Sequence, residues 1–512
     1  MSRFARVLTG SISGCEPLLV EVEVDIAGGL PAFTVVGLPD TAVSEARERI
    51  RAALKNAGYE LPARRLTVNL APADIRKEGA GLDVPIAIGL LAALGELPLE
   101  RIADLLFVGE MSLDGRLRHT RGILPLALLA KEQGLRGLVI PLDNAAEGTA
   151  VPDLPVHAFA TLADLVAALR DTGPLPRHVP APDRPPPPPL FAAIDLAEIK
   201  GQPMARRALE IAAAGGHNLL LAGPPGTGKT MLARALPTLL PPLDFDEALE
   251  VTRIYSVKGL LASGHGILRD RPFRDPHHTI SDVALIGGGR HPAPGEVSLA
   301  HHGVLFLDEL PEFKKTVLEV LREPLSEGRV SIARAAHTTT FPARFLLVAA
   351  MNPCPCGNLT DPQRPCTCTP TQVRAYQQRV SGPLLDRIDL QIPVARLSAE
   401  EVVGPAAGES SAAVRERVIA ARRRQIQRHP RRPPILNAHL PARDLRKDCQ
   451  LSEEARHLLL EAVRRFGLSA RAYDKIIRVA RTIADLAGEP LISTPHIAEA
   501  IQYRTMDPFG QP

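Results

Sequence analysis

Residues 218–236 read Asn218-Leu-Leu-Leu-Ala-Gly223-Pro224-Pro225-Gly226-Thr227-Gly228-Lys229-Thr230-Met-Leu-Ala-Arg-Ala-Leu236. A short apolar run with strand character enters a glycine-rich octet, and a helix-forming segment leaves it. The octet Gly223–Thr230 satisfies the phosphate-loop pattern in its expected strand–turn–helix context. The glycines let backbone N–H groups converge on phosphate oxygens, and the helix N-terminus adds its dipole. In such a loop Lys229 reaches the terminal phosphates, and the Thr230 hydroxyl is offered to Mg²⁺. The expectation is an α/β domain that binds ATP with Mg²⁺.

A second apolar strand, Val304-Leu-Phe-Leu-Asp308-Glu309, ends in two carboxylates some eighty residues later. Asp308 is expected to hold Mg²⁺ through its waters, and Glu309 to polarise the attacking water. A third apolar strand, Phe345–Ala350, delivers Asn352, whose neutral amide suits the γ-phosphate or that water.

The rest of the composition is that of an ordinary globular chain. Of 512 residues 45% are hydrophobic and 23% charged, with no Trp and a formal net charge of +3. No global field marks a nucleic-acid binder, but residues 415–432 hold eight Arg against the single Glu416. That segment reads either as an anion-binding face or as a solvated helix surface. The longest apolar run, Val84–Leu94, is well short of the ~20 residues that span a bilayer, and the N-terminus has no apolar leader core. A cytoplasmic protein without membrane partners is expected.

Length suggests about three domains. Residues 173–190 end in five prolines from Pro185, a semi-rigid spacer. Before it, residues 1–172 mix strand-like alternation (Leu19–Ile26, Arg65–Leu70, Leu105–Met111) with helical spacing. The helices are Thr41–Ala57, capped by Asp40, and Leu124–Gln133. After the spacer comes the nucleotide-binding unit, 191–396, and then a helical region, 397–512. There Ser452 and Ser469 are expected N-caps and Gly467 a helix end, while Thr494 and Pro495 fit the N-cap and first position of a last helix.

With these motifs in place the chain resembles the AAA+ ATPases, and among them the magnesium-chelatase-like branch. Ile199-Lys-Gly201-Gln202 is similar to that family's adenine-contacting box. Asp308-Glu309 resembles its Walker B element and Asn352 its first sensor. Leu384-Leu-Asp-Arg387-Ile-Asp is similar to the segment whose Arg reaches a neighbouring subunit's nucleotide, and Ser469-Ala-Arg471-Ala to the second sensor. There, Arg471 in the first turn of its helix would swing to phosphate. The narrower resemblance, over nearly the whole chain, is to the ComM/YifB group. It rests on Gly37-Leu-Pro-Asp40, Asn69-Leu-Ala-Pro72-Ala73-Asp74 and Lys77-Glu-Gly-Ala-Gly-Leu-Asp83-Val-Pro85. Arg274-Asp-Pro-His277-His278 and Met351-Asn-Pro-Cys-Pro-Cys356-Gly357 belong to the same set.

The resemblance implies a multidomain α/β fold: a Lon-protease-like N-terminal domain, an AAA+ core with a parallel sheet, and a helical lid. It implies a homo-hexameric ring that encircles single-stranded or branched DNA and uses ATP turnover for branch migration in natural transformation. The alternative is a chelatase-like remodeller of a protein partner. Lon-type proteases use a Ser–Lys dyad, but Gly81 and Leu124 stand at the matching places. Without a hydroxyl and an amine there is no activated nucleophile, so the N-terminal domain is expected to be a dead protease used for contacts.

Cys354-Pro-Cys356 and Cys366-Thr-Cys368 offer four thiolates across a short loop, enough for a tetrahedral Zn²⁺. Reduced free thiols or a redox-sensitive loop are the alternatives. His277 and His278 are expected to be structural, with side chains that diverge on extended backbone. Arg329–Phe341 reads on its residues as a surface hairpin turning near Ala335-Ala336-His337; the resemblance to this ATPase branch implies instead that it points into the ring's pore, with Arg334 touching a DNA phosphate. No aromatic platform accompanies it.

Overall fold

Long apolar alternation near the start of the chain produces three strands, up to Val36, before the first helix begins at Thr41. The computed structural model describes residues 4–73, 77, 80–179, 191–289, 292–333, 338–403, 408–430 and 434–505. The N-terminal strands are β1 (Phe4–Ser13), β2 (Glu16–Ala27), β3 (Ala32–Val36), β4 (Arg65–Ala71), β5 (Leu105–Phe107), β6 (Gly137–Pro141) and β7 (Val156–Phe159). They form one mixed sheet in the order β3-β4-β2-β1-β5-β6-β7. Val20, Val22, Val24 and Ile26 alternate into a core shared with helices α1 (Thr41–Asn56) and α2 (Asp83–Ala93). The Asp40 carboxylate caps α1 by accepting from the Val43 N–H at 2.8 Å.

The strand expected at 105–111 is broken. β5 stops at Phe107, and Glu110–Met111 pairs separately with Leu117–Arg118. Gly109 lies between them, where a Cβ would come within 2.7 Å of Val84. The backbone bends there to pass over the start of α2. The next helix, α3, is Ile123–Glu132.

The second unit is a five-stranded sheet, parallel throughout. Its strands are β8 (Leu219–Ala222), β9 (Phe273–Arg274), β10 (Val304–Leu307), β13 (Leu346–Met351) and β14 (Leu390–Pro393), ordered β9-β10-β13-β8-β14. A separate antiparallel hairpin pairs β11 (Arg329–Ala333) with β12 (Thr338–Pro342); its tip, including Arg334, lies outside the described residues. A parallel sheet must be covered on both faces, which is why β8, β10 and β13 are buried along their whole length. Leu219, Leu221, Phe306 and Val348 face helices α4 (Pro203–Gly215) and α5 (Lys229–Leu239). Leu220, Leu305, Leu307 and Leu347 face the segment around Leu310–Leu321.

Helix α6 (Phe245–Lys258) joins the two units. Its Ser256 hydroxyl donates to Glu147, and its Ser256 carbonyl accepts from the Gly122 N–H. Arg253 pairs with Glu16 at 2.6 Å and donates to the Cys15 carbonyl. Glu147 also accepts from the Leu124 N–H at 2.8 Å; burial pushes its carboxyl up, and these hydrogen bonds oppose the shift.

Helix α7 (Pro370–Gln377) lies between β13 and β14, and the C-terminal part that follows β14 is helical: α8 (Ser411–Arg428), α9 (Glu453–Phe466), α10 (Ala470–Ala487) and α11 (Thr494–Thr505). Ser452 and Ser469 cap α9 and α10, and Gly467 ends α9 with φ 60°. Thr494 proves to be the first residue of α11 rather than its cap, since the His496 ring accepts the Ser493 N–H at 3.1 Å and closes that turn.

Four of the eight arginines of the basic segment are consumed internally. Arg417 pairs with Glu210 and Glu409, and Arg422 donates to the Ala213 carbonyl at the end of α4. Arg424 and Arg428 bond Asp485. Of the two readings of this segment, an anion-binding face or a solvated helix surface, neither describes these four arginines; Arg431 and Arg432 lie outside the described residues, as do Pro185–Pro189 of the spacer. Among the described residues no helix is long and apolar enough to cross a membrane.

Candidate nucleotide site

In a parallel sheet all strands end at the same edge. The order β10-β13-β8 therefore places three sequence-distant segments side by side: Asp308-Glu309 after β10, Asn352 after β13 and Gly223 after β8. Crevices outside the carboxyl ends of such strands are where ligands bind in open α/β sheets.

The loop itself is built around close backbone approaches. A Cβ on Gly223 would collide with the Val394 carbonyl at 2.0 Å, and the Gly223 N–H donates to Met351 at 3.1 Å. Gly226 and Gly228 take φ of 77° and 89°, and beyond their immediate chain neighbours no protein atom lies within 4 Å of where their Cβ atoms would be. That open concavity fits a phosphate chain. Thr227 turns its hydroxyl onto the Pro224 carbonyl at 3.0 Å. Lys229 folds over the loop, donating to the Gly223 and Pro224 carbonyls at 2.7 and 2.8 Å and to Asn352 Oδ1 at 3.2 Å. Burial lowers its pKa to about 8, against the pull of Asp308 and Glu309.

Thr230 Oγ1 donates to Asp308 Oδ2 at 2.9 Å. Two hard oxygens on adjacent elements are the donor set that suits Mg²⁺, so the residues present fit the ion. The other Asp308 oxygen accepts the Glu309 N–H at 2.9 Å. Glu309 has φ 52° and an exposed side chain turned into the cleft's mouth, where His278 Nδ1 lies 3.3 Å from its carboxylate.

His278 is a site residue that the sequence reading missed. The expected divergence of His277 and His278 is also wrong: their ring centroids are 4.1 Å apart. The chain is turning there rather than extended, with the Ile280 N–H bonded to the His277 carbonyl, so consecutive side chains share one side. The only local signal was the His pair following Arg274-Asp-Pro.

Arg387 and Arg471 stand elsewhere. Arg387 precedes β14, at the amino-terminal edge of the sheet, while the phosphate loop follows β8 at the opposite edge. The four-residue strands between them span about 13 Å. Arg387 donates to Ser326 Oγ and the Pro383 carbonyl; burial and the neighbouring Arg322 and Arg471 lower its pKa. Arg471 lies one helical turn before Lys475, whose ammonium is 2.7 Å from Asp389 at that same edge. Neither guanidinium lies beside its own chain's phosphate loop.

Gly201 and Gln202 both adopt positive φ (56° and 55°), and Gln202 Nε2 donates to the Ala395 carbonyl at 2.6 Å. A Cβ on Gly201 would meet Leu397 at 2.6 Å. Ile199, Lys200, Gly201, Arg206, Glu400 and Glu401 border a cleft of about 730 Å³.

Two groups of metal-capable side chains occur among the described residues. In the first, Glu250 Oε2 lies 2.9 and 2.7 Å from the Nε2 atoms of His301 and His302. His301 Nδ1 accepts the Arg344 N–H at 2.9 Å, so its Nε2 carries the proton and donates to Glu250. That leaves no lone pair for a metal. The second group is Cys354, Cys356, Cys366 and Cys368, which the fold brings together as four free thiols.

Comparison with known proteins matches residues 195–402 to the magnesium chelatase, subunit ChlI family. Residues 22–144 match the family described as subunit ChlI of Mg-chelatase, and 408–504 the ChlI C-terminal family. Competence protein ComM of Haemophilus influenzae is 45% identical, over 98% of this chain and 97% of its own length. The protein YifB of Escherichia coli is 44% identical, over 95% and 94%. A magnesium-chelatase 67 kDa subunit of Heliobacterium mobile is 30% identical over 31% of this chain and 28% of its own.

Proposed function

This chain belongs to the ComM/YifB family of magnesium-chelatase-like AAA+ ATPases, and from that premise we propose that it forms a hexameric ring that binds DNA and uses ATP hydrolysis for branch migration, a helicase action in recombination and natural transformation. The observation that carries the ring is the position of Arg387 and Arg471. Both sit at the sheet edge away from their own phosphate loop, where a neighbouring copy's loop is the nucleotide they can reach. Completion of one subunit's site by the next makes hydrolysis depend on assembly, as an arginine finger supplied in trans does.

Within one subunit, Gly223–Gly228 cradle the phosphates through backbone N–H groups, and Gly201 and Gln202 border the base. Lys229 leaves the Gly223 and Pro224 carbonyls for the terminal phosphates. Thr230 and Asp308 hold Mg²⁺, which supplies charge neutralisation at the phosphate oxygens when bound. Glu309 orients and polarises water, His278 fixes the Glu309 carboxylate, and Asn352 hydrogen-bonds the γ-phosphate or that water. The N-terminal unit has no hydroxyl at Gly81 and no amine at Leu124, and serves contacts, beginning with α6. The β11–β12 hairpin is the element offered to DNA, and phosphate contacts there make binding sequence-independent and salt-sensitive. The work is cytoplasmic.

The test is ATPase rate with and without single-stranded and branched DNA across a salt series, with Glu309→Gln as inactive control. Stimulation that fades as salt rises supports the motor. The likeness to a magnesium-chelatase subunit favours a second reading, remodelling of a protein partner. A DNA-independent rate with no DNA retained at low salt selects it and discards the first.

A further inference from the structure

We propose that Cys354, Cys356, Cys366 and Cys368 bind one structural Zn²⁺, and that this ion holds the loop after β13 against the phosphate loop. Sγ of Cys354 lies 3.4 Å from that of Cys356 and 3.7 Å from that of Cys366, and the Cys356 and Cys366 sulfurs are 3.6 Å apart. All four sulfurs lie within 4.8 Å of one another. A tetrahedron of sulfurs around Zn²⁺, with Zn–S about 2.3 Å, has edges of about 3.8 Å. A disulfide would instead bring two sulfurs to about 2.05 Å and leave the other pair apart. The spacing is that of a single ion: a polynuclear iron–sulfur cluster needs its cysteines spread around several metals.

The backbone is arranged for thiolates. The Cys356 N–H points at Cys368 Sγ and the Cys368 N–H at Cys366 Sγ, both at 3.4 Å. Donors aimed at the ligand atoms are the outer-shell contacts that metal–thiolate sites use. Cys354 is fully buried and the other three partly so, which closes the site and marks it as structural rather than catalytic.

Little else shapes this loop. Residues 357–368 contain one aliphatic side chain, Leu359, and form neither helix nor strand. The pair of buried Asp361 with half-buried Arg396, at 2.8 Å, is its main other anchor. Yet its position is exacting. Cys354 follows two residues after Asn352, which receives Lys229 Nζ. Gly357 lies so close to the phosphate loop that a Cβ would come within 2.7 Å of Pro225. Four zinc–thiolate bonds across the fifteen residues from Cys354 to Cys368 hold Asn352 and Pro225 where the packing of this polar loop would not. This half of the proposal rests on the reading of the ATP site above; the metal itself does not.

The test uses full-length protein purified under reducing conditions without metal-affinity resin. Elemental analysis is expected to give about one zinc per chain, falling at least fivefold in Cys366→Ser and staying unchanged in Cys15→Ser and Cys449→Ser. Cobalt exchanged into the wild-type site should show the intense visible absorption of tetrahedral thiolate coordination. Absence of metal, iron in its place, or a mass lowered by disulfide formation would overturn the zinc. The positioning role is read by hydrogen exchange of residues 223–230 in wild-type protein stripped of zinc and then reloaded. At least tenfold faster exchange on stripping, reversed by Zn²⁺, is expected; unchanged exchange in folded, stripped protein overturns that role. A zinc-loaded protein with no ATPase counts against the ATP-site reading alone.

Discussion

Replacing Asp389 with Asn tests how the helical region is fastened to the nucleotide-binding core. Asp389 Oδ1 lies 2.7 Å from Lys475 Nζ of α10, with only 10% and 13% of the two side chains exposed. Burial would raise the Asp389 carboxyl, but Lys475 and His217 hold it well below the carboxylate range. Burial lowers Lys475 despite that partner. In Asp389→Asn the ammonium stays buried without its counter-charge, a loss that costs about 3–5 kcal/mol when one member of a buried pair is removed. Lysine can escape by losing its proton. From an ordinary value of about 10.4, that costs about 4.6 kcal/mol at pH 7 and about 1.9 kcal/mol at pH 9, at ~1.36 kcal/mol per unit. These figures cap the destabilisation. The sign follows: the variant's Lys475 titrates lower folded than unfolded, so the unfolded chain binds more protons and the variant regains stability as pH rises. Urea unfolding followed by far-UV circular dichroism, since the chain has no Trp, should show a loss of about 3–4.5 kcal/mol at pH 7 and under about 2 kcal/mol at pH 9. Asp389→Asn with Lys475→Met should recover most of it. A pH-independent loss below about 1 kcal/mol, the size of an exposed pair, would refute the reasoning.

Lys229, lowered to about 8 by burial, is neutral in alkaline unliganded protein. The Kd for ATP should therefore weaken by up to about tenfold per pH unit above that value; calorimetry showing a constant Kd to pH 9.5 would contradict it. If Glu309 is the water-activating base proposed above, Glu309→Gln should retain ATP while phosphate release falls by at least about 100-fold. Burial pushes His301 down to about 4, whereas the unfolded chain takes up that proton near pH 6.5. Stability should then drain away between those values by up to about 3 kcal/mol, and His301→Gln should flatten that part of an acid-unfolding series.

Gly223–Thr230 was legible because a phosphate loop is local: strand, glycines, lysine and helix start lie within twenty residues. Asp40, Ser452 and Ser469 were legible for the same reason, each cap acting on an N–H three residues away. The Cys-x-Cys pairs were visible as a ligand set, but nothing in their spacing decided among metal, thiols and redox chemistry. The arginine-rich stretch shows the opposite case. Its composition left an anion face and a solvated surface both open, and its helix turns four of those eight guanidiniums onto Glu210, Glu409, Asp485 and the end of α4, partners that only folding supplies.

Amino-acid order alone thus determined the elements and the chemistry each could carry: apolar runs for buried strands, glycines for the loop, carboxylates and an amide at strand ends. The tertiary structure decided what stands beside what. Strand order β10-β13-β8 brought Asp308, Asn352 and Lys229 to one edge, and the parallel direction of β14 left Arg387 at the other. It set the His278 ring against Glu309, Lys475 against Asp389, and Gly357 against Pro225. Each of these contacts joins segments separated by tens or hundreds of residues. Such contacts depend on how whole elements pack, which no local propensity encodes.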